Sequence, residues 1–151
     1  MSESVHSDSV HSDSAAEPVG KYPHARKVGN LLFLSGIGPR VKGQKAIPGV
    51  TLNAQGEVVD HDIAAQCHSV FANVRAVLEA SGARWQDLVD VTVYLTDMKR
   101  DFAIYNRLWA EYFSDNPPCR TTVEINCLPT PIAIELKCVA VVAQTSVAEA
   151  P

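Results

Sequence analysis

Two charged residues stand inside apolar, β-forming sequence near the C-terminal end of the chain. Arg120 lies in Cys119-Arg120-Thr121-Thr122-Val123-Glu124-Ile125, and Glu135 lies in Ile134-Glu135-Leu136. Leu128-Pro129 separates the two runs, so they read as a strand, a Pro-marked turn and a second strand. Burying a guanidinium or a carboxylate is costly unless it is paired or put to use. Period-two geometry places Arg120, Thr122, Glu124 and Asn126 on one strand face. It places Glu135, Lys137, Val139 and Val141 together on the next strand. An arginine so placed suits bidentate capture of a substrate carboxylate. A nearby carboxylate suits the orientation or deprotonation of water. Arg120 and Glu135 could equally pair with each other or with Lys137 as a structural ion pair. Spacing alone leaves both readings open.

Other residues with chemical potential fit bland roles. His61 and His68 are seven apart, about two helical turns, too far to share one ion easily. His6 and His11 fall in a short tandem repeat, Val5-His6-Ser7-Asp8-Ser9 then Val10-His11-Ser12-Asp13-Ser14, and do not supply a ligand set. No metal site is expected. Cys67, Cys119, Cys127 and Cys138 form no CxxC pair and read as packing residues. Trp85 and Trp109 read as core or interface.

These side chains need elements to position them. Residues 1–19 are polar and read as a disordered tail; 20–145 form the folded domain, and 146–151 a short C-terminal tail. Runs at 24–29 and 31–36 flank Gly29-Asn30, a hairpin signal. The continuous apolar run Leu31–Leu34 suggests burial on both faces. Residues 37–60 form a long segment rich in Gly, Pro, Lys and Asn, the kind that is often functional. Apolar residues at helical spacing predict a helix over 62–81, capped by Asp60 or Asp62 and closed by Gly82. A strict alternation predicts a strand over 88–96. A second helix covers 100–114, with Phe102, Tyr105, Leu108, Trp109 and Tyr112 on its apolar stripe, and Pro117-Pro118 ends it. Strands at 119–127 and 132–143 follow. The order β-β-α-β-α-β-β is an α+β domain with two helices on one face of one sheet. The bare face needs a partner, and a closed symmetric oligomer is the usual solution.

Bulk properties exclude several classes. The chain has 151 residues and a net charge of −4, with a mass of 16.3 kDa and pI near 5.7. One domain of this size needs no disulfide or metal staple. The acidic balance argues against a nucleic-acid surface. No apolar run approaches the roughly 20 residues of a membrane helix, and residues 1–20 hold no secretory apolar region. A reducing cytoplasm is the expected compartment.

The residues quoted first resemble a known family. Pro118-Cys119-Arg120-Thr121-Thr122-Val123, Leu128-Pro129 and Ile134-Glu135 look like the C-terminal signature of the RidA (YjgF) enamine/imine deaminases. Asn30 through Ser35-Gly36-Ile37-Gly38-Pro39 resembles that family's SGQ-P strand end. Phe102-Ala103-Ile104-Tyr105-Asn106 with Tyr112-Phe113 resembles its second helix. The resemblance spans about residues 20–143. It implies a chorismate-mutase-like α+β fold and a homotrimer with clefts between subunits. Arg120 would clamp the substrate carboxylate and Glu135 would hold the attacking water. Tyr22, Ser35, Gly36, Asn106 and Thr122 would line the cleft, with His24 as a further candidate. No cofactor is implied.

Three departures narrow the likeness. Thr122 stands where many members carry Cys, and Ile37 where they carry Gln. The 37–60 segment is longer and basic, with Arg40, Lys42 and Lys45, and Lys21 nearby in sequence. These traits are similar to the bacterial 2-aminomuconate deaminase branch, whose substrate is an enamine dicarboxylate and whose products are 4-oxalocrotonate and ammonia in aromatic-compound degradation. The alternatives are a generalist 2-imino acid deaminase, or a non-catalytic trimeric ligand-binding or chaperone-like protein.

Overall fold

The structure is a computed structural model that describes residues 7–143. The strands are β1 (Ser7–Val10), β2 (Ala25–Val28), β3 (Leu31–Leu34), β4 (Val50–Leu52), β5 (Val58–His61), β6 (Leu88–Leu95), β7 (Cys119–Glu124) and β8 (Ile134–Val141). The helices are α1 (Ile63–Ala80) and α2 (Met98–Tyr112). Six strands make one sheet in the order β1-β2-β3-β8-β6-β7, while β4 and β5 pair only with each other. Within the six-stranded sheet, β6 and β7 run parallel and the other neighbours antiparallel. The expected α+β class and element order hold, with β1 and the β4–β5 hairpin added.

Local chemistry explains the elements. Gly29 has a φ of 59°, which lets two residues close the β2–β3 hairpin. The Asp62 side chain accepts a hydrogen bond from the Ala65 N–H and caps α1. Asp97 does the same for α2 through Arg100. Gly82, with a φ of 74°, ends α1 in a left-handed turn. Asp60, the other expected cap, pairs with Arg100 instead.

The core lies between the two helices and one sheet face. Leu32, Leu34, Val91, Val93, Leu95, Ile134, Leu136 and Cys138 point into it, against Val70, Phe71, Val74 and Val77 of α1. Phe71 packs among Trp85, Trp109, Tyr112 and Phe113. The opposite sheet face is uncovered in the single chain. Cross-strand partners Phe33 and Val139, and Leu31 and Val141, lie on it, and Leu31, Phe33 and Val141 are exposed.

Three expectations need correction. Leu31–Leu34 alternates exposed and buried and is not buried on both faces; a continuous apolar run cannot tell a face packed on the core from one left uncovered in the single chain. Phe102 is exposed, not part of the buried stripe of α2. Residues 7–19, expected to be a disordered tail, form β1 and an ordered, mostly exposed segment with a bend at 13–15. β1 adds to the edge of β2, and Ser12 and Ala15 are buried. Few apolar residues are enough here, because backbone pairing with a preformed edge offsets the ordering entropy. Residues 1–6 and the expected 146–151 tail lie outside the described residues.

Phe71→Ala is expected to cost about 3–5 kcal/mol of stability, read as a fall in the urea midpoint. A loss below about 1 kcal/mol would contradict the central place given to that ring cluster.

Candidate active site

Arg120 sits on β7 opposite Val91 of β6, so its side chain faces the helices, beside α2. Its Nη1 donates to Asn106 Oδ1 at 2.9 Å. The guanidinium lies 5.3 Å from the Tyr105 ring centre and 5.1 Å from that of Trp109. The Thr122 hydroxyl, two residues along the same face, shares a 3.0 Å hydrogen bond with the Tyr105 phenol. Two aromatic faces and one amide thus aim the guanidinium while leaving most of its N–H donors for a ligand. Arg120, Asn106 and Thr122 form one cluster around the Tyr105 ring. Tyr105 and Trp109, read from the sequence as part of the apolar stripe of the second helix, with Trp109 as core or interface, are the residues that orient it.

Glu135 sits on β8 opposite Tyr94 and faces the uncovered side of the sheet. It is half-buried and makes no hydrogen bond or ion pair among the described residues. Its carboxylate lies against Gly36: a Cβ built there would come 2.8 Å from Oε2. Any residue but glycine at 36 would displace the carboxylate. Burial pushes the Glu135 carboxyl above its ordinary 4.5. Lys137, the other imagined partner, reaches instead to the Leu34 carbonyl.

Arg120 and Glu135 therefore do not meet within one chain. Their strands are not neighbours, because β6 lies between β8 and β7. Register settles the faces: Val91 aligns with both Arg120 and Cys138, and Tyr94 with both Glu135 and Val123. Cys138 is in the core, so Arg120 is on the helix side and Glu135 on the other. A structural ion pair between them is excluded. The turn at Leu128-Pro129 is no hairpin turn. Residues 125–133 step over the end of β6, held by Ile125 N–H to Leu95 O at 2.8 Å and Thr96 N–H to Ala133 O at 3.1 Å. The Ala133 N–H in turn donates to Gln66 Oε1 of α1.

A small cleft lies at the other end of β3. Tyr22, His24, Ser35, Gly36, Arg40 and Glu17 line it. Its volume of about 40 Å³ is far below the roughly 300–1,000 Å³ of a small-molecule site. The Ser35 hydroxyl donates to the Pro23 carbonyl at 2.7 Å, and the Tyr22 hydroxyl accepts from the Val19 N–H at 3.3 Å. His24 is in the wall of the cleft, but both ring nitrogens are engaged. Ser12 N–H donates to Nδ1 at 3.0 Å, so Nε2 carries the proton and donates to the Ala16 carbonyl at 2.9 Å. His24 is a latch for the N-terminal segment, which is why it differs from the substrate contact expected.

Polar residues that interrupt the apolar stripe of α1 fix the loops around this region. Ser69 Oγ donates to Pro39 O at 2.7 Å. Asn73 Nδ2 donates to Gly38 O at 2.9 Å and to Arg40 O at 2.6 Å. Sequence reasoning missed Gln66 and Asn73. The available signal was a long amide on the buried side of an otherwise apolar helix face.

The remaining candidates have ordinary partners. His61 Nε2 lies 2.7 Å from Asp101 Oδ2 and ties β5 to α2. Burial pushes the Asp101 carboxyl above its ordinary value, against the pull of the His61 hydrogen bond. His68 bonds Tyr112 at 2.6 Å. No group of three metal-binding side chains occurs among the described residues. Cys67 and Cys138 are buried, with thiols pushed up to about 12 by burial. Cys119 and Cys127 are exposed in the single chain, so the packing role read for all four holds for two. Cys119 faces the uncovered side of the sheet, and Cys127 lies beyond the end of β7.

The family model described as endoribonuclease L-PSP matches residues 12–142. The chain is similar to a RutC family protein of Pyrococcus horikoshii, 41% identical over 127 residues that cover 84% of this chain and 91% of that protein. It is similar to the chloroplastic Reactive Intermediate Deaminase A of Arabidopsis thaliana, 32% identical over 139 residues that cover 92% of this chain and 68% of that one. Among solved structures, the YjgF gene product of E. coli matches with a TM-score of 0.75 at 28% identity, covering 89% of this chain and 98% of that one.

The state of Glu135 has a measurable consequence. A carboxyl raised in the folded state binds its proton more tightly there than in the unfolded chain, so its ionisation weakens folding as pH rises. Glu135→Gln is expected to raise Tm at neutral pH, with a gain that shrinks towards zero below pH 4.5. Thermal melts of both proteins across pH 4–8 check this; a gain that stays constant with pH contradicts it.

Proposed function

The chain belongs to the endoribonuclease L-PSP family, which includes the RutC and reactive intermediate deaminase proteins, and on that premise we propose that it is a hydrolytic deaminase of a dicarboxylic enamine or imine, 2-aminomuconate. The observation that carries this reading is Glu135: a half-buried carboxylate with no hydrogen-bond or ion-pair partner among the described residues, seated on the bare backbone of Gly36. That is the arrangement a general base for water requires.

The site is shared between copies of the chain. Arg120, Asn106 and Thr122 of one subunit face Tyr22, Ser35, Gly36 and Glu135 of the next in a homotrimer. The incomplete clusters on opposite sheet faces support this, as does the uncovered apolar face around Leu31, Phe33 and Val141. Covering that face also dries the site, which strengthens each charge contact. The enamine tautomerises to the imine. Arg120 holds the carboxylate next to C2 and fixes that carbon for attack. Glu135 takes a proton from water as oxygen bonds to C2 and the C=N electrons move to nitrogen. The same carboxyl returns that proton to nitrogen, giving the carbinolamine; it then takes the hydroxyl proton and passes it to nitrogen as the C=O bond forms and the C–N bond breaks, leaving 4-oxalocrotonate and ammonia.

The net charge of −4 disfavours an RNA substrate, because phosphate binding needs a surface rich in Lys and Arg. The four cysteines are free thiols, which suits a reducing cytoplasm. Among the described residues no helix is long and apolar enough to cross a membrane. A generalist 2-imino acid deaminase is the second reading, favoured by one observation: Lys42 of the long loop already pairs with Glu17.

The deciding assay follows loss of 2-aminomuconate absorbance together with ammonia release. Glu135→Gln is expected to lower kcat about 10²–10⁴-fold, the usual worth of a general base. Arg120→Ala should raise KM and lower kcat together. Turnover confined to 2-iminobutanoate-type monocarboxylates would favour the generalist. Wild-type rates in both variants would sink the enzyme reading.

Light scattering is expected to give about 49 kDa, three times the 16.3 kDa chain. A monomer at micromolar concentration would rule out the shared site.

A further inference from the structure

We propose that Arg40 and Lys42 form the subsite for the second acid group of the substrate, and that Glu17 guards it as a built-in competing carboxylate. This rests on the deaminase reading for the substrate class, and on the geometry of residues 12–42 for the rest.

Five cationic or basic groups lie near the cleft in sequence: Lys21, His24, Arg40, Lys42 and Lys45. The structure separates them. His24 spends both ring nitrogens on the N-terminal segment. Lys21 lines an adjoining open groove that shares Glu17, Pro18 and Tyr22 with the cleft, and is not itself in the cleft wall. Lys45 is exposed and lines neither; Lys42 lines neither as well, but it pairs with Glu17 of the cleft wall. Arg40 is in the wall of the cleft with Tyr22, Ser35 and Gly36. Gly36 is also the residue that seats the Glu135 carboxylate, so the cleft, whose inner wall is Asn73 and Val77 of α1, meets the Glu135 side of the sheet at that residue.

Arg40 is held for this purpose. α1 grips the backbone on which it stands, through Ser69 to Pro39 O and Asn73 to Gly38 O and Arg40 O. A fixed backbone lowers the ordering cost of capturing a carboxylate. The guanidinium now donates through Nη2 to the Glu17 carbonyl. Lys42 Nζ donates to the Asp13 carbonyl and lies 3.5 Å from Glu17 Oε1.

Charge logic makes Glu17 a gate. The Lys42–Glu17 pair is exposed, at 40% and 69% for the two side chains, and an exposed pair contributes little. The Arg40 contact goes to a neutral carbonyl. A substrate carboxylate offers the guanidinium two charge-assisted hydrogen bonds and offers Lys42 a replacement counter-ion. A dicarboxylate can therefore displace the Glu17 side chain, whereas a monocarboxylate has no group to place there. The segment itself need not unfold, because Ser12, Ala15 and His24 anchor it below the surface.

The test compares two probes with the same six-carbon diene, muconate and sorbate, which differ only in the second carboxylate. Calorimetric titration of the full-length protein should show muconate binding at least about 10-fold tighter than sorbate, the gain expected of one bidentate arginine contact. Glu17→Gln should raise the muconate-to-sorbate affinity ratio by roughly 3–5-fold, the scale of an exposed ion pair. Arg40→Met should collapse the ratio, and Arg40→Lys should restore part of it. No measurable muconate binding, or a ratio that none of these variants moves, overturns the subsite. The two ideas can fail separately. An Arg40-dependent muconate preference without ammonia release from 2-aminomuconate ends the deaminase reading and keeps the subsite. Turnover with an unmoved ratio does the reverse.

Discussion

Parallel pairing of β7 with β6 is the constraint on which the rest depends. α2 carries the chain back across the sheet face, so β7 enters in the same direction as β6 and on its outer edge. β8 must then cross over the end of β6 to pair on its inner side. This order separates Arg120 from Glu135 by one strand and turns them to opposite faces. Neither can neutralise the other, so each stays available to a ligand. A simple β7–β8 hairpin would have let them collapse into an ion pair.

The separation also explains the remaining architecture. Arg120 is stabilised on the helix side by two aromatic faces and an amide, which hold a cation without cancelling its charge. Glu135 has no hydrogen-bond or ion-pair partner among the described residues, and burial raises its proton affinity. A protein retains such a carboxylate at a cost in stability when it serves as an acid or a base. The uncovered face beside Glu135 carries Leu31, Phe33 and Val141, so the surface that a second copy would cover is also the surface that holds the base.

The N-terminal segment links binding to packing. It completes the edge of the sheet as β1, closes the cleft over His24, and brings Asp13 and Glu17 to Arg40 and Lys42. The strong contacts in it are buried hydrogen bonds to His24, and the weak ones are exposed charges at its rim. A segment built that way stays in place while its rim side chains exchange partners.

The sequence by itself determined the local features, since these depend on periodicity and capping within a few residues. The helices, the Gly29-Asn30 turn, the Asp62 cap and the alternating strand at 88–96 were all legible. So was the identity of Arg120 and Glu135 as the residues worth explaining, because charge in apolar strands is costly without a reason; Gly36, Asn106 and Thr122 stood out only through the family resemblance. Long-range decisions were not legible. Strand order put β6 between the two key strands, and no spacing along the chain encodes that. Polar tail residues became a strand because an unpaired β2 edge was waiting for them. His24 became a latch and Arg40 a wall of the cleft because α1, through Ser69 and Asn73, placed the loop beside the N-terminal segment. Which side chains converge is set by the packing of distant elements, and only the tertiary structure supplies it.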